Sequence, residues 1–304
     1  MSPWIVVALA GHLLNGFAFL IDKILLSTAF KKSGTYAALI GGLSCLALPL
    51  LPWIKLPTGI DWLWTALFGS LFVIAVWFFF LALQRGEASR VVPIIGVLIP
   101  IFTLVDTSIL IGEQLTGGTV MGFGILILAT LVLTSSGSKG LLDRHTVMIC
   151  VASAALFAAS SASGKAAYLH GEFIDVFVSS RIFAAMAAIA IAIFAKGVKE
   201  EMQLLIPGKN QARNKAEAKS IALMMLGQGS GAVGFVLVQY ATSLGSAALV
   251  NSLQAVQYAF LVLAAWVGGK KLAAVLHEDR RPRTIIIKSA AIVLVGFGLY
   301  LLTV

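Results

Sequence analysis

Apolar runs of roughly 20 residues, separated by short polar connections, recur ten times along this chain. A helix rising 1.5 Å per residue needs that length to cross about 30 Å of hydrocarbon. The runs cover approximately residues 3–26, 34–53, 62–83, 88–111, 116–134, 146–168, 173–195, 220–242, 246–267 and 284–302. They are continuous rather than alternating, whereas a membrane β-barrel would show segments of about ten residues with every second side chain polar. The pattern predicts an all-α polytopic membrane protein with ten transmembrane helices.

Composition agrees: 59% of residues are hydrophobic, 12% are charged, and the mean hydropathy is +0.98. A water-soluble domain of this size has no use for so much apolar surface. No basic residue precedes the first run and Asp22-Lys23 lies near its end, so it reads as a retained span and not a cleaved leader. Cys45 and Cys150 fall inside spans with no metal-ligand spacing, and read as small buried hydrophobes.

The formal charge of +9 would suggest nucleic acid in a soluble protein, but here the positions of the basic residues matter more than their sum. Of 22 Lys and Arg, three lie within spans (Lys23, Lys165 and Arg181), eighteen lie in or beside the odd-numbered connections, and only Lys55 lies on the other side. By the positive-inside rule the odd connections are cytoplasmic and both termini extracytoplasmic. The expected location is a plasma (inner) membrane. The partners are the lipid bilayer and no nucleic acid, with a homodimer left open. The longer basic connections, 196–219 and 268–283, either anchor this topology or bind anionic headgroups.

Polar side chains in hydrocarbon are costly and should face the bundle interior. In span one His12, Asn15 and Asp22 fall on one helical stripe. In span nine Asn251, Gln254 and Tyr258 sit at i, i+3 and i+7, with Gln257 adjoining. Gln228 and Gln239 are eleven apart on span eight, and Thr103 and Asp106 share a face of span four with Glu113 beyond. Three amides and a phenol supply donors and acceptors without net charge, which suits either an amide-bearing or amino-acid-like solute or hydrogen bonding between helices. Arg181, about two turns into span seven, has the chemistry to take a carboxylate bidentately. Lys23 and Lys165 read as snorkelling anchors. The candidate substrate-binding set is therefore Asn251, Gln254, Gln257, Tyr258, Arg181, His12, Asn15 and Gln228. Asp106 is a candidate for coupling to a cation or proton. Pro93 and Pro100, which interrupt the hydrogen-bond ladder of span four, are candidates for gating or a static kink. Gly227, Gly229, Gly231 and Gly234, with Gly41-Gly42 and Gly122-x-Gly124, are read as sites of close helix approach. No catalytic or metal-ligating set is indicated, the four histidines being scattered singly, and no cofactor is expected.

A weak internal repeat relates Ala82-Leu83-Gln84-Arg85-Gly86 onward, between spans three and four, to Ala241-Thr242-Ser243-Leu244-Gly245 onward, between spans eight and nine. Two halves of five spans each, 1–138 and 139–304, must enter the membrane from opposite sides, giving an inverted repeat. The run Ala82-Leu83-x-x-Gly86-x-x-Ser89-x-Val91-x-Pro93, followed by Pro100, Gly112-Glu113-x-Leu115-Thr116 and Gly122-x-Gly124, resembles the EamA-type transporters of the drug/metabolite transporter superfamily. The resemblance implies ten helices in two inverted five-helix repeats and secondary transport of a small metabolite such as an amino acid, often outward. It thins in the second half, where Lys270-Lys271-Leu272 stands near the place of the Gly-Glu pair and Pro100 has no proline counterpart. Family members are expected to keep both termini cytoplasmic, and the charge count argues the reverse. No phosphate-binding loop of the Gly-x-x-x-x-Gly-Lys type is present, so a gradient and not ATP would supply energy. The alternative is a flippase or membrane-embedded enzyme handling a lipid-linked substrate.

Overall fold

The computed structural model describes residues 2–25, 33–86, 88–115, 117–134, 142–204, 215–276 and 281–303, and among them the chain is helical with no strand. The helices are α1 (Pro3–Leu25), α2 (Ser33–Gly42), α3 (Asp61–Arg85), α4 (Ala88–Ile111), α5 (Gly118–Thr134), α6 (Arg144–Tyr168), α7 (Phe173–Phe194), α8 (Val198–Leu204), α9 (Lys215–Leu244), α10 (Ala247–Ser252), α11 (Gln254–Val267), α12 (Gly269–Val275) and α13 (Pro282–Leu301). Eight described segments are long and apolar enough to cross a membrane. Gly118–Thr134 is a shorter apolar helix, and the expected span 220–242 falls within the 30-residue α9. The boundary between the two expected halves, at residues 138 and 139, lies outside the described residues, as do the side chains of Asp22 and Lys23.

Two expected spans depart from a regular helix. The second is α-helical only to Gly42 and continues as a 3-10 segment, Leu43–Trp53, that contains Pro49 and Pro52. Each proline lacks the N–H that an α-helical ladder would use, so the tighter winding is the local answer. Span nine is broken at Leu253 into α10 and α11. Glu113 does not prolong the polar face of α4, because Gly112, at φ +67°, ends that helix first. Other ends are chemically defined. The Asp143 carboxylate accepts the Thr146 N–H at 3.0 Å at the start of α6, and hydrogen bonds from the Thr146 side chain and backbone hold its pKa below the usual value. Ser246 does the same for Leu249 at the start of α10.

The bundle is apolar outside: Phe194 is 83% and Val267 88% exposed, which suits a hydrocarbon surround and no other. Cys45 belongs to this outer surface, against the expectation that it is buried, whereas Cys150 is buried. Inside, α1 packs along α9, α3 lies between α6 and α7, α4 lies on α6, and α5 lies on α13. Small residues set these spacings. At the α1/α9 crossing a Cβ on Gly11 would come within 2.9 Å of the Gly234 carbonyl oxygen, and a Cβ on Gly227 would meet Ile21. Gly122 is pressed against α13, but Gly124, Gly229 and Gly42 face open space, so only part of the glycine pattern marks contacts. Ser153 and Ser160, seven apart on α6, donate to the carbonyls of Ala75 and Phe68 on α3 at 3.0 and 2.7 Å. Each such interhelical bond contributes about 0.6 to 2 kcal/mol.

Gly69 marks the tightest approach of α3 to α7, where a Cβ would run into the Ser180 carbonyl oxygen. A Gly-to-Ala change in a helix gains about 1 kcal/mol of propensity, but here a backbone atom stands in the way and overpacking costs about 1 to 3 kcal/mol. Gly69→Ala should therefore lower the melting temperature of detergent-purified protein, read by fluorescence-detected size exclusion, while Gly124→Ala leaves it unchanged or raises it.

Candidate functional site

A cavity of about 330 Å³ lies among α1, α3, α4, α6, α9 and the α10–α11 pair. Its volume is at the lower end of the range for small-molecule pockets. One wall is polar and uncharged, carrying His12 and Asn15 from α1, Asn251 from α10, and Gln254, Gln257 and Tyr258 from α11. Another is aromatic, with Phe72 and Phe79 of α3, Phe157 of α6 and Phe235 of α9. Among the described residues no Asp, Glu, Lys or Arg lines it.

Local structure explains how these side chains meet. The break at Leu253 puts Asn251 on the last turn of one short helix and Gln254 on the first turn of the next, both against the cavity. Asn251 Nδ2 donates to Thr103 Oγ1 on α4 at 3.0 Å and to Ser161 Oγ on α6 at 3.1 Å, so this amide ties three helices together. Its carbonyl oxygen remains as an acceptor. Tyr258 fits against α4 because Gly96 has no side chain: a Cβ there would sit 2.6 Å from the phenol oxygen.

His12 is 5% exposed, and its Nε2 lies 2.8 Å from the Val250 carbonyl oxygen. A carbonyl only accepts, so Nε2 carries the proton and Nδ1 presents a lone pair. Nδ1 has no partner at hydrogen-bond distance, with the Gln257 side chain adjoining the ring. Gln239, 8% exposed, also lines the cavity, and its Oε1 has no partner. Buried polar atoms are normally paired, and leaving one unpaired costs about 1 to 3 kcal/mol. The polar wall thus holds two unanswered acceptors.

Six of the eight residues expected to bind substrate surround this cavity, while Arg181 and Gln228 do not line it. Asp106, Pro93 and Pro100 also stand outside the lining. Both prolines are inside the continuous helix α4, and both are buried. Lys165 donates to the Thr242 carbonyl at 3.1 Å, capping the end of α9 instead of reaching for a membrane surface. The aromatic wall, Gln239 and the Ser160-Ser161 pair were not among the expected site residues. A signal existed for the first: Phe72 and Phe79, seven apart, share a face of α3.

Helices with an apolar exterior around an uncharged polar cavity define a polytopic membrane protein with an internal solute-sized site. Residues 2–135 match the model of the EamA-like transporter family. The residues from Ala82 to Gly124 that carry the resemblance fall within this matched segment, which is similar to EamA-like transporters. Among solved structures it is similar to one titled only "Crystal structure of protein", at 18% identity and a TM-score of 0.66, over 100% of this chain and 97% of the other. That likeness concerns the fold alone. No curated protein matches the chain.

Asn251→Ala and Thr103→Val each remove one side of the α10–α4 hydrogen bond and should lower stability by about 1 kcal/mol. Measured by unfolding in sodium dodecyl sulfate, the double variant should cost less than the sum of the singles, because both delete the same contact.

Proposed function

We propose that this protein is a secondary transporter, an exporter or exchanger of a small metabolite such as an amino acid, and that the cavity is its solute site. The observation that carries the reading is the pair of unanswered acceptors, His12 Nδ1 and Gln239 Oε1, in a cavity that no charged side chain lines among the described residues. A solute that donates hydrogen bonds, through an ammonium, amide or hydroxyl group, satisfies both. Asn251, Gln254, Gln257 and Tyr258 orient it, and the phenylalanine wall receives its apolar part.

Alternating access by two inverted five-helix repeats is the mechanism we infer. Helix pairing supports it. If the first five spans map onto the second five in order, the α1/α9 contact maps onto the α6/α3 contact, and α4/α6 maps onto α11/α1. All four contacts occur. A rocking motion that opens α1 from α9 on one side would then have its equivalent at α3 and α6 on the other. Both termini are extracytoplasmic in this proposal, on the strength of the Lys and Arg distribution.

Counterflow into proteoliposomes, with a panel of amino acids, sugars, nucleosides and amphipathic cations, tests the reading. Gln254→Ala should reduce saturable uptake of the accepted class at least tenfold with little change in thermal stability. Gln239→Leu separates a binding amide from a structural one. If Oε1 waits for solute, the variant loses flux and gains about 1 kcal/mol of stability, since an unpaired buried polar atom is replaced; lost stability would return Gln239 to a structural role. A reporter fused after Val304 should be active outside the cytoplasm, and cytoplasmic activity would reverse the proposed orientation.

A further inference from the structure

Arg181 stands behind the cavity wall, on α7, and is 4% exposed. Its guanidinium carbon lies 5.1, 4.8 and 5.1 Å from the ring centres of Phe68, Phe177 and Phe235, so α3, α7 and α9 each contribute one ring to an aromatic box. Its Nε and Nη2 both donate to Ser180 Oγ, at 3.1 and 2.9 Å. Among the described residues no carboxylate reaches it, and its one electrostatic neighbour is Tyr168. The Tyr168 hydroxyl is itself buried and has no hydrogen-bond partner.

Rings and one serine hydroxyl stabilise a cation but do not neutralise it. A guanidinium in the interior of a membrane bundle is retained where an anion compensates it, since desolvation otherwise works against the fold. The described residues offer no such anion here. They offer instead the guanidinium N–H groups that Ser180 does not take and an unpartnered phenol, donors that a carboxylate's oxygens accept from. Phe235 is the partition. The same ring that stacks over Arg181 lines the cavity, against Phe72 at 4.7 Å between centroids. Gln239, whose Oε1 is unanswered, lies one helical turn beyond Phe235 on α9. A group that donates to Gln239 and a group that accepts from Arg181 would therefore flank one aromatic ring.

We propose that Arg181 and the Tyr168 hydroxyl form a carboxylate subsite of the transport cavity, closed by the Phe235 ring and entered when that ring turns aside. The proposal rests on the cavity being the solute site, and it narrows the cargo to solutes bearing a carboxylate beside their hydrogen-bond donor. Phe235 then makes the guanidinium available to a bound solute while shielding it from the empty cavity.

The test uses purified full-length protein and two probes of nearly equal shape, benzoate and benzamide, read by ligand-induced shifts in melting temperature across a concentration series. Wild type should bind benzoate more tightly than benzamide. Arg181→Gln should abolish that preference and keep the benzamide response. Tyr168→Phe deletes one unpartnered oxygen, so folding is not at stake, and it should weaken benzoate about tenfold and leave benzamide unchanged. Phe235→Ala should tighten benzoate by opening the partition. Equal responses to the two probes in wild type, a benzoate preference that survives Arg181→Gln, or a Tyr168→Phe variant that treats both probes as wild type does would each overturn the subsite. The cavity is judged separately: if Gln254→Ala removes both responses while the benzoate preference is indifferent to Arg181, the cavity stands and the subsite falls.

Discussion

A polar group in hydrocarbon has no water to fall back on, and the rest of this structure follows from that constraint. Backbone groups are answered within helices, side chains are answered between helices, and what faces lipid is apolar. Ser153 and Ser160 give their protons to carbonyls on α3, and Lys165 caps the exposed end of α9. Glycines at Gly11 and Gly234 let α1 and α9 approach until backbone nearly touches backbone. There is no hydrophobic driving force between helices in lipid, so these close contacts and hydrogen bonds hold the bundle together.

The cavity interrupts this economy at one place. α1 and α9 touch at Gly11 and Gly234, while Tyr258 and the phenylalanine rings line the space beside the break at Leu253. The break also changes which polar atoms find partners. Asn251, ending α10, is used on its donor side by Thr103 and Ser161, and the Val250 carbonyl one residue earlier is used by His12. The acceptors left over point to the space between.

Hydropathy alone placed the eight described segments that are long and apolar enough to cross a membrane, because each of those apolar runs is long and the connections between them are charged or glycine-rich. The spacing of His12, Asn15, Asn251, Gln254 and Tyr258 also predicted a common lining, since polar residues on one helical stripe have to face inward. What helical periodicity does not carry is the identity of the facing helix. Arg181 was grouped with the amides for its chemistry, yet three rings from three helices close around it and set it behind the wall. The break at Leu253 left no mark either: no glycine or proline stands there, and the interruption is one residue long with Leu253 still at right-handed helical dihedrals. Glu113 left the face of α4 for a simpler reason, a glycine at positive φ one residue before it.

Whether a membrane-buried amide holds helices together or waits for solute is undecidable from its residue type, because both roles need the same donors and acceptors. Partners separate the two. Where each polar atom is answered by protein, as for Ser153, Ser160 and the donor side of Asn251, the bond stabilises the bundle and its loss should be felt as instability. Where a buried atom is unanswered, as for His12 Nδ1, Gln239 Oε1 and the Tyr168 hydroxyl, the fold bears a cost that an apolar side chain would remove. Two such atoms line the cavity and accept, while the third, the Tyr168 hydroxyl beside Arg181, donates. That division of donors and acceptors matches a solute with opposite ends, which is why the unpaired atoms say more about cargo than the paired ones do.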